Sequence, residues 1–164
     1  MNLYHLHIGG RESRIEFQSA HILPESEKCS HLHGHSYTID LKIWGDVKED
    51  MTLLDFTALK SMLREIAQKF DHKMLIPGKD KRFVKENGNI RARIDGREYL
   101  FPVEDCFILP SEACTAEAIA KFVHDLFVSR IKGYRVEIGI TEGFGSEAWY
   151  SSDGSGHKNK IKIK

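Results

Sequence analysis

The chain has 164 residues, 41% of them hydrophobic and 29% charged, with 24 Lys and Arg balanced by 24 Asp and Glu. That length supports one domain burying roughly 70% of the surface its unfolded chain would expose, and the composition excludes a disordered polymer. The absence of a basic excess argues against a nucleic-acid partner, and no apolar run approaches the roughly 20 residues that cross a bilayer.

The first residues show no basic leader, apolar h-region or cleavage site. Cys29, Cys106 and Cys114 are odd in number and lack framework spacing, which fits free thiols in a reducing compartment. The expected address is the cytoplasm.

In chain order, Leu3 to Ile8 reads as a short strand, and Gly9-Gly10 as a turn into a second strand from about Ser13 to His21. There Ile15, Phe17, Ser19 and His21 share one parity and therefore one face. Residues His33 to Trp44 alternate likewise, with His33, His35, Tyr37, Ile39, Leu41 and Ile43 on one side. From Asp55, a plausible N-cap, the period changes: Phe56, Leu59, Met62, Leu63, Ile66 and Phe70 recur at helical spacing. Lys81 to Phe101 carries Asn87-Gly88 and Asp95-Gly96, two strong hairpin signals, and reads as an inserted three-stranded meander. A second helix follows from about Thr115 to Ile131, stopped at Gly133. Then come an alternating strand through Tyr134, Val136, Ile138 and Ile140, a turn through Gly143 and Gly145, and a last strand around Ala148 to Ser151. The result is an α+β pattern in a single domain over residues 1–151. Residues 152–164 read as a loose tail, in which Ile161 and Ile163 alternate with lysines like an edge strand.

Five of the nine histidines lie between His5 and His33, and His35 follows just beyond. His33-Gly34-His35 puts two imidazoles on one side of a strand about 7 Å apart, at 3.3 to 3.4 Å per residue. Both can lean onto one ion, and His21 on the matching face of the preceding strand supplies a third ligand, leaving an open fourth position as in catalytic zinc sites. The plain alternative is three histidines satisfied by protein partners. Cys29, four residues before His33, is a fourth ligand or a reactive thiol. His5, His7, His124 and His157 read as ordinary histidines, and His31 lies within the loop, where it is a substrate-facing candidate. Glu142 places a carboxylate at the end of a buried stripe, where it needs a partner: a row of N–H donors on a ligand, or an Arg or Lys. Glu117 is in the first turn of its helix, where the dipole favours an acid. Asp71-His72 closes the first helix, where the dipole alone would favour a histidine.

Cys29-Ser30-His31-Leu32-His33-Gly34-His35 resembles the C-x-x-x-H-G-H motif of the 6-pyruvoyl-tetrahydropterin synthase/QueD family. The resemblance covers most of the chain apart from the insert and the tail. His21 stands at the family's first zinc histidine, Leu54-Asp55-Phe56 at its helix opening, and Asp71-His72 at its catalytic pair. Thr115-Ala116-Glu117 resembles the start of its second helix, and Glu142 its pterin-anchoring glutamate. Gly143 departs from the threonine that usually follows that glutamate.

The resemblance implies a tunnelling fold, an antiparallel sheet backed by two helices, in homo-oligomers with hexamers favoured and active sites at subunit interfaces. It implies Zn²⁺ on His21, His33 and His35, with Cys29, Asp71 and His72 catalytic and Thr115, Glu117 and Glu142 binding substrate. The substrate implied is 7,8-dihydroneopterin triphosphate. The three-residue gap after Cys29 is similar to the 6-carboxy-5,6,7,8-tetrahydropterin synthase branch, which serves queuosine and archaeosine synthesis. The nearest alternative is the pyruvoyl-forming triphosphate elimination. A branch with Glu in place of the cysteine is opposed by Cys29, and the alternative of another class is a zinc-stabilised pterin-binding or assembly module without turnover.

Overall fold

The structure, a computed structural model, describes residues 4–152. The expectations for the tail and for His157 concern residues outside that range. Ten strands, two helices and one 3-10 turn follow in order: β1 Tyr4–Ile8, β2 Glu16–His21, β3 His33–Gly45, α1 Phe56–Gln68, β4 Lys73–Pro77, β5 Phe83–Glu86, β6 Asn89–Ile94, β7 Arg97–Pro102, the 3-10 turn Val103–Asp105, β8 Cys106–Leu109, α2 Ala116–Arg130, β9 Arg135–Glu142 and β10 Glu147–Ser151.

Seven strands form the main sheet in the order β10-β9-β3-β2-β4-β8, and β1 pairs with the far half of β3. The register sets His21 opposite His33 and Tyr37 opposite Glu142. β2 begins at Glu16 rather than near Ser13, because residues 11–14 form a turn. Alternation along β2 and β3 sends Phe17, Tyr37, Ile39, Leu41 and Ile43 into the core, with Ile15 just ahead of β2 buried beside them. Both helices cover that face. Leu59, Leu63 and Ile66 of α1 and Ile119, Val123 and Phe127 of α2 are buried against it. Asp55 caps α1 by accepting the Ala58 amide at 2.7 Å, and Thr115 caps α2 by accepting from Ala118 at 3.4 Å.

One expectation about the sheet needs correcting. It is mixed rather than wholly antiparallel, because β4 pairs parallel to both β2 and β8. The alternation-based reading does not include those two strands: Met74, Leu75, Ile76 and Pro77 are all buried, and a strand covered on both faces shows an apolar run without a period of two.

The insert forms its own antiparallel sheet, β5-β6-β7. Asn87-Gly88 and Asp95-Gly96 turn its two hairpins with φ of 47° and 77°, and 50° and 76°, the left-handed pairs that two-residue hairpin loops require. Ile90, Ala92 and Ile94 pack with Ile22, Met74 and Ile76 in a second, smaller core. The meander is thus laid against the end of β2.

Candidate metal centre and adjoining cavity

Antiparallel pairing brings His21 and His33 face to face, and the i, i+2 spacing on β3 adds His35. One ligand atom from each lies within 4.8 Å of the others, and the ring centroids are 4.5 to 5.1 Å apart. His21 is fully buried, and burial lowers its pKa to about 4, so the ring is neutral near pH 7.

Two main-chain carbonyls fix the tautomers. His21 Nδ1 donates to the Cys114 carbonyl at 2.7 Å, and His33 Nδ1 donates to the His31 carbonyl at 2.8 Å. With those protons committed, the two Nε2 atoms carry lone pairs, and they face each other at 3.0 Å. Facing lone pairs repel unless a cation lies between them. Two nitrogens bonded at 2.0 to 2.1 Å to one tetrahedral ion would stand roughly 3.4 Å apart. The donor set, its tautomers and its spacing fit a metal ion, with the carbonyl acceptors supplying the outer hydrogen bonds that orient metal-binding histidines.

Tyr37 is the next side chain along the same face of β3, with its ring 5.4 Å from that of His35. It stands opposite Glu142 in the strand pairing, and burial first, then that carboxylate, raises its pKa. Glu142 Oε1 is buried without a hydrogen-bond partner, and among the described residues no Arg or Lys pairs with it. Thr115, Glu117 and Glu142 line one cavity of about 320 Å³ together with Leu23, Ser146 and Ala148. Gly143, at the mouth of the β9–β10 turn, has φ +82°, a conformation that a threonine would strain.

Cys29 lies half-buried in the loop between β2 and β3, and its sulfur is not one of the clustered ligand atoms. The loop is tied to the cavity wall, since the Leu23 amide donates to the Cys29 carbonyl at 2.8 Å. Asp71 and His72 are in contact, His72 Nδ1 lying 2.9 Å from Asp71 Oδ2. They do not join the Glu142 cavity. His72, with its side chain 81% exposed, lines another, open cleft of about 550 Å³ with His35 of the cluster and with Gln18, Ser36, Lys73 and Asp105.

Three other described histidines have protein partners. His5 stacks on Trp44, His124 Nε2 meets Ser152 Oγ at 3.2 Å, and the His31 ring is engaged by Arg97. In the sequence Tyr37 is marked only by sharing a strand face with His33 and His35, although a phenol at the end of an apolar stripe next to two histidines needs a polar partner. Nothing in the sequence marks Arg97.

The 6-pyruvoyl tetrahydropterin synthase family model matches residues 12–153. A Methanocaldococcus jannaschii protein, provisionally named a 6-carboxy-5,6,7,8-tetrahydropterin synthase, is 32% identical over 154 residues, covering 88% of this chain and 94% of its own. The 6-carboxy-5,6,7,8-tetrahydropterin synthase of Aquifex aeolicus is 32% identical over 106 residues, covering 64% of this chain and 60% of its own. Among solved structures, the 6-pyruvoyl tetrahydropterin synthase of Plasmodium falciparum superposes with a TM-score of 0.83 at 25% identity. That of Plasmodium vivax gives 0.83 at 21%. Each covers 93% of this chain and 99% of its own. The α+β architecture of two helices on one sheet is thus the tunnelling fold of these enzymes.

Proposed function

The chain belongs to the 6-pyruvoyl tetrahydropterin synthase family, and on that premise we propose that it is a zinc-dependent 6-carboxy-5,6,7,8-tetrahydropterin synthase. Its substrate is 7,8-dihydroneopterin triphosphate. With net uptake of one water, that molecule yields the carboxylated tetrahydropterin, acetaldehyde and triphosphate. The observation that carries the reading is the buried, unpartnered oxygen of Glu142 in the cavity that Thr115 and Glu117 also line, opposite Tyr37, whose ring lies 5.4 Å from that of His35. A carboxylate left unsatisfied in a protein interior is costly, and the N–H row of a pterin edge would satisfy it.

His21, His33 and His35 hold the metal. When bound, zinc supplies Lewis acidity that makes an alcohol proton removable near neutral pH. Cys29 acts as a base toward the substrate side chain. His72, oriented by Asp71, exchanges the second proton. Thr115 and Glu117 flank the pterin at the cavity wall. The exposure of His72, in a cleft apart from Glu142, supports a homo-oligomer, with hexamers favoured, in which His72 of one copy serves the metal centre of a neighbour.

The carboxy-forming outcome is favoured over the pyruvoyl-forming one by the names of the relatives and by the three residues between Cys29 and His33. The product's expected use is deazapurine synthesis, for queuosine or archaeosine, in the cytoplasm. Product analysis after anaerobic incubation of zinc-loaded protein with 7,8-dihydroneopterin triphosphate tests the reading. Acetaldehyde and 6-carboxytetrahydropterin in equal amounts are expected. A 6-pyruvoyl product without acetaldehyde would move the protein to the rival reaction, and no turnover by the metal-loaded oligomer would favour a binding module.

A further inference from the structure

The loop between β2 and β3 carries Cys29, yet it has no regular structure of its own. Internal bonds shape it: Leu23 to the Cys29 carbonyl at 2.8 Å, and Ser30 to the Ser26 carbonyl at 2.8 Å. The remaining anchors come from the inserted meander, more than fifty residues further along the chain, and they grip the loop in three places. At its start, Ile22 is 1% exposed, packed among Ile90, Ala92 and Ile94 of the meander and Met74 and Ile76 of β4. Near its middle, Arg82 Nη1 pairs with Glu25 at 2.8 Å. At its end, Arg97 Nη2 donates to Ser30 Oγ at 3.1 Å, and Nη1 donates to His31 Nδ1 at 2.5 Å.

The third grip is the one with geometric force. Ser30 is 4% exposed and donates its own proton to the Glu27 carbonyl at 3.0 Å, so its oxygen is oriented to accept from the guanidinium. Arg97 is itself steadied by Asp95 at 3.1 Å and by the Ile94 carbonyl at 3.4 Å, at the tip of the β6–β7 hairpin. A planar guanidinium bonded on two sides transmits position in a way that a single ammonium does not. The Glu25 pair is different: Glu25 is 86% exposed, and exposed ion pairs contribute little.

We infer that the inserted meander is a clamp on the Cys29 loop, with Arg97 as the positioning residue that fixes Ser30 and His31 and thereby the thiol just before them. The inference deepens the proposed function and rests on its reading of Cys29 as the base. The clamp also reaches the metal centre, because the His31 carbonyl that orients the His33 ring belongs to the residue that Arg97 holds.

The test compares wild-type protein with Arg97→Ala and Arg97→Lys, all metal-loaded and without substrate. Iodoacetamide labelling is read at the Cys29 peptide by mass spectrometry, and amide hydrogen exchange is followed over residues 23–31. Arg97→Ala is expected to speed labelling and exchange by roughly ten-fold, the size of one lost charge-assisted bond in a local opening equilibrium, while Cys106 labelling stays constant. Arg97→Lys is expected to fall between the two, and it carries the comparison alone should the alanine variant fail to fold. In steady-state assays the loss should appear in kcat with KM nearly unchanged. Labelling and exchange equal to wild type in either folded variant would overturn the clamp. Because labelling uses no substrate, that outcome is separate from the role of Cys29, which turnover by Cys29→Ala tests.

Discussion

Asp71 Oδ2 lies 2.9 Å from His72 Nδ1, although the two residues are neighbours in the chain. Adjacent side chains ordinarily diverge. Here His72 has φ 57°, with its amide donating to the Gln18 carbonyl at 2.7 Å, and that left-handed turn brings the pair together. The Gln18 amide, reaching Asp71 Oδ1 at 2.8 Å, and then His72 hold the Asp71 carboxyl below the usual carboxylate range. A carboxyl lowered in the fold stabilises above its unfolded value, and that contribution disappears as pH falls through the folded value. Asp71→Asn is expected to lower turnover by roughly ten- to a hundredfold and to lower the unfolding midpoint modestly at pH 7, a loss that shrinks toward acid pH. Steady-state kinetics beside thermal melts check this, and full activity in the variant would remove the pair from the chemistry.

If His72 serves a neighbouring copy, two inactive variants should complement each other. Cys29→Ala and His72→Ala, each inactive alone, are expected to regain activity when co-expressed, because some interfaces then join an intact Cys29 to an intact His72. Mixed oligomers separated by differential tags provide the measurement. Activity no higher than in either variant alone would place both groups in one subunit.

Glu142→Gln separates binding from stability. The variant removes a charge that has an unpartnered buried oxygen, so the ligand-free protein should melt higher, by up to about 1 to 3 kcal/mol of stability. Pterin affinity should fall roughly ten- to a hundredfold, as for loss of a charge-assisted bond. Calorimetric titration with a non-hydrolysable pterin, alongside thermal melts, reads both. A lower melting temperature with unchanged affinity would mean that the carboxylate is structural.

Acid should weaken the metal-free fold through His21. Its folded pKa is about 4, lowered by burial, against about 6.5 in the unfolded chain. Between those values the unfolded state binds more protons, so stability is greatest above pH 6.5 and falls as pH drops toward 4. Bound metal adds stability at neutral pH, about 2.7 kcal/mol when its free concentration is a hundred times Kd, and that increment should vanish over the same acid range. Urea unfolding at pH 4.5 and pH 7.5, with and without chelator, tests both; a gap between the two pH values that is absent in His21→Gln is expected.

Much of this was legible in the sequence. The two-residue period of β2 and β3 puts the histidines on the core face, the helical periods give α1 and α2 with their caps, and the Asn-Gly and Asp-Gly pairs give the meander. What escaped did so for physical reasons. β4 lacks alternation because the sheet and its coverings enclose it on both sides, and β8 is a four-residue edge strand, too short to show a period. The Asp71–His72 contact depends on one backbone angle that neither residue type dictates. The pairing of Arg97 with Ser30 and His31 joins segments whose approach is set only when the second core closes around Ile22.

His21 and Ile22 are consecutive and point into different interiors, the imidazole toward the ligand cluster and the sec-butyl group toward the meander. A slip of one residue in the pairing of β2 would exchange them, putting hydrocarbon among the nitrogen donors and a polar ring in oil. The appendage and the metal site therefore police each other's alignment. Any homologue that trims the meander must secure the strand's register by some other means.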